Sequence, residues 1–480
     1  MKRMPTLTER FAELATAVPD ATATQAATRM ALYVLDTLAV SLGGSRADSS
    51  QPVTRTILAA AGKAESTVLG VGRATSAWDA ALVNGAYAHA LELDDDHRVA
   101  VLHPGAVVVP AALAACEAAG TDGQTFLRAC LLGYELTCRL GMVFRGSQFY
   151  HGVHPTALCG VFGAAAAAGV AMGLDRAAFV HALGIAGTQA SGLTEWRADG
   201  SWIKRLHPGR AAHAGILAAR LAANGFTGPS TILEGDNGFF KAFGYGEPLD
   251  IEALTRELGI HFEALGTAIK PYPCCRFEHG AVDLALDAWR EGLQGTEIAG
   301  AAVRIYRTDV LSYHRVPRNA VDAQFNVPYA VAVALTRGAL TLGDFTDRAI
   351  GDERVLELAQ RVEVVEDDEY SRRYPAQYCV ELVVTTRDGT TRRYFSDCPS
   401  GDPEAPRYAG RPELLREEAE AKCRAVLDQC GFADRAEDLA RAVAALPGAD
   451  SLAGLGGIIG GTYPATGVPG RKRSMEESSR

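Results

Sequence analysis

Between residues 24 and 225 this chain reads as one helix after another, and those helices are poor in large side chains. Residues 24–42 place Met30, Leu32, Leu35, Leu38 and Ala39 near helical spacing and stop at Gly43-Gly44, a usual helix end. Helical segments follow at 76–91, 104–119, 123–144, 155–173, 176–192 and 208–224, with Pro104, Pro155 and Pro208 where a first turn tolerates proline. Residues 157–174 carry no charge, which raises the question of a membrane span. Eleven of those eighteen residues are Ala or Gly, so the segment offers little apolar surface per turn and reads instead as a buried helix. Helices of this composition approach one another closely, which predicts one large all-α domain with an Ala/Leu/Val core.

The pattern changes after a short helix at 251–258. Residues 301–307 alternate as a strand, 361–365 read as another, and 378–386 and 390–396 flank Asp388-Gly389, a strong hairpin signal. Helices at 279–290, 324–337 and 352–360 intervene, giving a smaller α+β unit. Helical pattern returns at 412–430 and 436–446. The expected fold class is therefore mainly α with α+β. It comprises a discontinuous helical domain (1–264 and 404–460), an α+β lid domain (265–403) and a flexible tail (461–480). Gly454-Leu455-Gly456 lacks the strand, helix and downstream acid of a dinucleotide-binding unit.

Composition narrows the function classes. A formal net charge of -10 argues against a nucleic-acid or anionic-membrane partner, both of which want clustered Lys and Arg. Ten cysteines without a Cys-x-x-Cys pair, in a chain whose first 29 residues hold no continuous apolar stretch, point to free thiols and the cytoplasm.

Four clusters stand out as chemistry. Residues 89–105 end an apolar helix in Glu92, Asp94, Asp95 and Asp96, then His97 and His103; an acidic helix end followed by a surface loop would read the same way. His151-Gly-Val-His154-Pro155 leads into the most apolar helix, whose positive end disfavours a charged imidazole and makes His154 a neutral base, or a simple cap. Asp199 to Arg210 gathers Lys204, Arg205, His207 and Arg210 before a helix N-terminus, suited to a carboxylate or to plain solvation. Lys270-Pro-Tyr-Pro-Cys274-Cys275-Arg276 is a stiff loop near the domain boundary that places two cations, or merely links domains. Together they supply neutral bases, cations and carboxylates without a metal set. That composition suits proton removal beside a carboxylate, with cations stabilising the enolate-like charge.

At these residues the chain resembles the MmgE/PrpD family, which includes 2-methylcitrate dehydratase, cis-aconitate decarboxylase and iminodisuccinate epimerase. The resemblance runs from about residue 8 to 446. It is carried by Asn84-Gly-Ala-Tyr-Ala-His-Ala-Leu-Glu-Leu-Asp-Asp, His103-Pro-Gly, Gly133-Tyr-Glu, Gly152-Val-His-Pro-Thr, Gly200-Ser-Trp-Ile-Lys, His207-Pro-Gly-Arg-Ala-Ala, Lys270-Pro-Tyr-Pro-Cys-Cys and Pro328-Tyr329. It implies a helical domain with an α+β lid, a homodimer, a pocket between the two domains, and no metal or organic cofactor. It places catalytic roles on His103, His154, Lys204 and Tyr329: one histidine as base and the other as acid, Lys204 beside the carboxylate or enolate, and Tyr329 as hydroxyl donor. Asp94, Asp95, His97, Lys270, Cys275 and Arg276 are the expected substrate-binding residues.

Departures from the family's decarboxylase pattern matter as well. That pattern has Asp at Glu92, Thr where Asp96 falls and His near Cys275. An added carboxylate repels an acidic substrate, and a thiol is a poorer proton donor than imidazolium at neutral pH. The expected function is a cofactor-independent lyase removing a proton α to a carboxylate of a small di- or tricarboxylic acid, a dehydratase first. An epimerase or decarboxylase of the same family and a catalytically silent carboxylate-binding paralogue are the alternatives.

Overall fold

In the computed structural model, residues 4–17, 23–295, 297–307, 311 and 316–460 are described. The tail expected from residue 461 lies outside them. The helices Ala23–Gly44, Ala77–Ala88, Gly105–Ala119, Gly123–Phe144, Pro155–Ala171, Arg176–Gly187 and Ile203–Ala223 pack into one helical body. Every residue of Pro155–Ala171 is buried, and no described helix is long and apolar enough to cross a membrane. The uncharged run is thus the centre of the body, surrounded by helices that small side chains let come close.

Backbone contact at one crossing makes this concrete. A Cβ placed on Gly209 would sit 2.1 Å from the Leu82 carbonyl oxygen, and one on Gly85 would sit 2.7 Å from Gly209 Cα. The Ala77–Ala88 and Ile203–Ala223 helices therefore touch main chain to main chain. Both lead into the candidate site.

The smaller part is built on a four-stranded mixed sheet. β1 (Ser66–Val68) and β2 (Arg73–Thr75) form a separate two-stranded hairpin, whereas β3 (Ile298–Ile305), β4 (Val362–Glu366), β5 (Val380–Thr386) and β6 (Thr391–Ser396) run in the order β4-β3-β5-β6. β3 pairs in parallel with β4 and antiparallel with β5; β5 and β6 form the hairpin whose turn holds Gly389 at φ +88°. His279–Arg290 and Val327–Arg337 pack against this sheet. Buried side chains fall into two main cores. One gathers residues up to Ile269 and resumes at Ala405, taking Leu415, Ala419, Cys423 and Leu427 from the Pro412–Gln429 helix; the other runs from Cys274 to Val384 and also takes in Val101 and Trp196.

Several expected boundaries move, each for a local reason. The helix expected at 208–224 begins at Ile203, with Pro208 inside it. Pro208 removes only one early hydrogen bond, so the helix tolerates it, and Lys204 is placed on the first turn rather than in a loop. The helix expected to run to 192 stops at Gly187, because the chain must turn back for Gly192 to accept a hydrogen bond from His154 N–H (3.0 Å). Residues 251–258 form only a 3-10 turn, Ile251–Leu254, capped by Asp250. The helix expected from 324 begins at Val327, where Asn326 accepts from Tyr329 N–H at 2.9 Å. Leu7–Ala17, Ser50–Ala59 and the β1–β2 hairpin were not anticipated, and Gly454-Leu455-Gly456 lies inside the Ala453–Gly460 helix.

Gly85→Ala is expected to destabilise the protein by about 1–3 kcal/mol through overpacking at the helix crossing, with Gly209→Ala at least as severe. Urea unfolding of the two variants against the parent checks this; unchanged midpoints would mean that the helices can part without loss.

Candidate active site

The Ala77–Ala88 helix ends at His89, and the next eight residues are held by partners distant in sequence. Asp96 and Ala268 exchange backbone hydrogen bonds (2.9 and 2.7 Å), Gln324 donates to the Leu91 carbonyl (3.2 Å) and Lys422 donates to the Leu93 carbonyl (2.6 Å). Lys422 also pairs with Asp36 at 2.6 Å, where Asp36 is buried and the Lys422 side chain nearly so. Within this held loop Glu92 adopts φ +54°, a conformation uncommon for a non-glycine residue. That backbone setting aims its carboxylate at two lysines.

Glu92 is hydrogen-bonded to Lys204 and lies 4.0 Å from Lys270, all three almost fully buried. Burial alone would push the Glu92 carboxyl up, but Lys204, His89 and Lys270 outweigh it and hold the group at about 2. Burial disfavours the Lys270 ammonium as well, yet Glu92 and Asp94 keep it above its usual range. Lys204 Nζ further lies 5.8 Å from the centre of the Trp196 ring and 5.3 Å from that of Phe325, which present their faces to the cation.

A cluster of imidazoles lies beside these charges, and His103 alone of them lines the cleft. His103 Nδ1 lies 2.7 Å from the Asp95 carbonyl oxygen, so it carries the proton and leaves Nε2 as the free nitrogen. Burial pushes the ring down to about 3, with nearby Asp94 opposing, so His103 is neutral at pH 7. His89 Nδ1 lies 2.7 Å from Asp94 Oδ2, and its ring centre is 5.2 Å from that of His103 and 5.5 Å from that of His154. His154 caps the Pro155–Ala171 helix and is fully buried, its Nδ1 3.2 Å from His207 Nδ1. Burial, then the neighbouring His207 and Lys204, hold its imidazole well below the usual range.

A narrow cleft of about 20 Å³ lies between these groups. Its polar lining is Glu92, Asp96, His103, Lys204, Cys275 and Arg276, and its apolar lining is Val101, Phe149, Trp196, Phe277 and Phe325. Of the expected site residues, His103, Lys204, Cys275 and Arg276 line the cleft directly, and Lys270 and Asp94 stand just behind them through Glu92 and His89. Arg276 donates to the carbonyls of Ser400 (2.7 Å) and Pro399 (3.3 Å), which fixes its orientation. Burial raises the Cys275 thiol, which stays protonated.

Other expected site residues are occupied elsewhere. Asp95 accepts from Gly105 N–H (2.9 Å) and from Tyr134 O–H (2.7 Å), so its carboxylate fastens the start of the Gly105–Ala119 helix rather than a substrate. His97 is tied at Nε2 to the Glu263 carbonyl (3.1 Å) and accepts from Ala100 N–H at Nδ1 (3.1 Å). Tyr329 is buried in the second core, donating its hydroxyl to the Asp344 carbonyl, and does not line the cleft. His154 likewise lies behind His89 rather than on the cleft wall. Sequence reasoning passed over His89, whose signal was its place five residues before Asp94 at a helix end. Glu92 and Asp96 belong to the acidic cluster that the sequence offers without a binding role assigned to either, and nothing local marks Phe149, Trp196 and Phe325 as neighbours.

A family model for the MmgE/PrpD N-terminal domain matches residues 9–252, and one for the MmgE/PrpD C-terminal domain matches residues 272–447. The chain is similar to a cis-aconitate decarboxylase from Aspergillus terreus, 30% identical over 372 residues (72% of this chain and 75% of that protein). It is 28% identical over 396 residues to the human cis-aconitate decarboxylase, covering 80% of each chain. A 2-methylcitrate dehydratase from Cupriavidus necator is 27% identical over 235 residues, 46% of this chain and 47% of that one.

Burial around the site yields a stability prediction. It holds His97 down to about 4, against about 6.5 for the ring in an unfolded chain. Between those values the unfolded state binds one more proton, so the stability contributed by the neutral ring is complete above about pH 6.5 and is lost as pH falls toward 4. Replacing the ring (His97→Gln) should flatten the stability–pH slope in that window by up to about 1.4 kcal/mol per pH unit. Urea midpoints measured at several pH values check this; parallel slopes would mean that the ring is charged in the folded protein.

Proposed function

This chain belongs to the MmgE/PrpD family, and from that premise we propose that it is a lyase that removes a proton α to a carboxylate of a small polycarboxylic acid, most simply with loss of water. The observation that carries this reading is His103: a neutral imidazole whose Nδ1 is committed to the Asp95 carbonyl, leaving Nε2 as a base in a cleft that also presents Lys204 and Arg276. In this reading Nε2 takes the α-proton, the C–H electron pair becomes the C=C bond as the β-hydroxyl departs, and the imidazolium hands its proton to that leaving hydroxyl so that water is released. The negative charge that develops on the substrate carboxylate is stabilised by the two cations, held in a desolvated cleft where fixed charges act strongly. Glu92 keeps Lys204 in place, and Lys270 behind it offsets the Glu92 charge. The chemistry needs no metal or organic cofactor at any step, and a cytoplasmic homodimer as the working form belongs to the same reading.

Decarboxylation is the second reading, because relatives of 28–30% identity over most of their length bear that name. The thiol at Cys275 and the carboxylates at Glu92 and Asp96 favour elimination over it, since proton return to a decarboxylated carbanion wants a better donor than a buried thiol. Epimerisation shares the first step with elimination and differs only in where the proton returns.

The test is proton NMR in D₂O with a panel of methylcitrates, citrate, cis-aconitate, malates, tartrates and amino-diacids. Deuterium entry at the α-carbon with loss of water establishes the lyase; carbon dioxide release or inversion without elimination redirects it to the decarboxylase or the epimerase. His103→Gln should lower α-exchange by about 10²–10⁴-fold with the fold retained. Wild-type exchange rates in that variant would remove His103 from the mechanism.

A further inference from the structure

Asp96 stands apart from the other carboxylates of its loop. Glu92 is paired with Lys204, Asp94 with His89, and Asp95 with Tyr134 and Gly105. The Asp96 side chain is about 4% exposed and lines the cleft, yet it accepts no hydrogen bond from any described residue. Its Oδ1 lies 3.7 Å from His103 Nδ1, a nitrogen already committed to the Asp95 carbonyl. No described Lys or Arg nitrogen lies within 4.0 Å of it. Burial raises the Asp96 carboxyl to about 6, with Arg276 and Lys270 opposing, so the group is ionised at pH 8.

A buried carboxylate without donors is costly unless something in the cleft supplies them. Charge counts the same way. Of the charges that line the cleft, the cations Lys204 and Arg276 meet the carboxylates Glu92 and Asp96, and Glu92 is already paired with Lys204, so Asp96 adds an unpaired negative charge beside whatever substituent approaches it. We propose that Asp96 is a specificity-determining residue that selects dicarboxylates whose third substituent is a hydrogen-bond donor, a hydroxyl or an ammonium, and excludes a third carboxylate from that position. This rests on the cleft's being the substrate site. One acid end pairs with Lys204 and Arg276, and the donor points at the free oxygens of Asp96.

A matched ligand set isolates the group: glutarate and its 3-hydroxy, 3-amino and 3-carboxy derivatives, the last being tricarballylate. Isothermal titration at pH 8 against the full-length protein is expected to rank the 3-amino and 3-hydroxy acids above glutarate, with tricarballylate weaker than the 3-hydroxy acid by about tenfold or more. Asp96→Asn, which keeps shape and removes charge, should bring that ratio to within about threefold, mostly by tightening tricarballylate. Asp96→Ser serves as a second variant should the amide disturb the loop, and thermal melts confirm folding of both. The relative order of the 3-amino and 3-hydroxy acids tells an ammonium from a hydroxyl donor. An unchanged ratio in the variants, a wild-type preference for tricarballylate, or no binding of any of the four overturns the proposal. Failure of the lyase reading looks different: the binding order and its loss in Asp96→Asn would persist while no acid exchanged its α-proton.

Discussion

The pairing of Glu92 with Lys204 and Lys270 inside the protein is the constraint on which the rest of the site depends. Each of these charges would be strongly disfavoured alone in so dry a place, and removing one partner of such a pair leaves the others uncompensated. The three residues come from the loop after the Ala77–Ala88 helix, the first turn of the Ile203–Ala223 helix and the segment joining the two cores. The attraction is therefore realised only when all three arrive together. The glycine crossing of Gly85 and Gly209 already sets the register of two of these elements, and the buried charges add a second condition that is met only when all three residues are in place.

Around this cluster the fold separates two kinds of polar work. Carboxylates that fasten the structure have their lone pairs filled by backbone or hydroxyl donors, as Asp95 does with Gly105 and Tyr134. Groups that face the cleft keep atoms free: His103 at Nε2 and Asp96 at Oδ2. The same short stretch of sequence thus contains both, and only the pattern of hydrogen bonds tells them apart. The close glycine contact between the Ala77–Ala88 and Ile203–Ala223 helices brings the two sides of the cluster within reach.

That division explains what was legible in the sequence. Helical and strand periodicity revealed the mainly α architecture with its smaller α+β part, because burial of a face repeats at 3.6 or 2 residues. The ordered motifs likewise pointed to the residues around the cleft, and His103, Lys204, Cys275 and Arg276 do line it. Periodicity does not say which carboxylate of Asp94-Asp95-Asp96 will meet a helix N-terminus and which an empty cleft, so Asp95 and His97 were read as ligands of the substrate. Tyr329 was misplaced for a similar reason: a tyrosine at a helix start can donate into a site or, as here, into the Asp344 carbonyl beside it. Pro208 misled about a boundary because one missing hydrogen bond is a small loss inside a long buried helix.

The hydrogen bond from Lys422 to the Leu93 carbonyl spans 329 positions of sequence. At a synthesis rate of 5–20 residues per second, roughly 16 to 66 seconds separate the emergence of the acidic loop from that of the lysine that holds it. During that interval the earlier helices can collapse around their alanines, but Asp36 lacks its cation and the loop lacks its clamp. The geometry of the acidic loop is consequently a late acquisition of the growing polypeptide. The helical body is drafted first, and the Pro412–Gln429 helix closes it from behind only after the intervening sheet has been made.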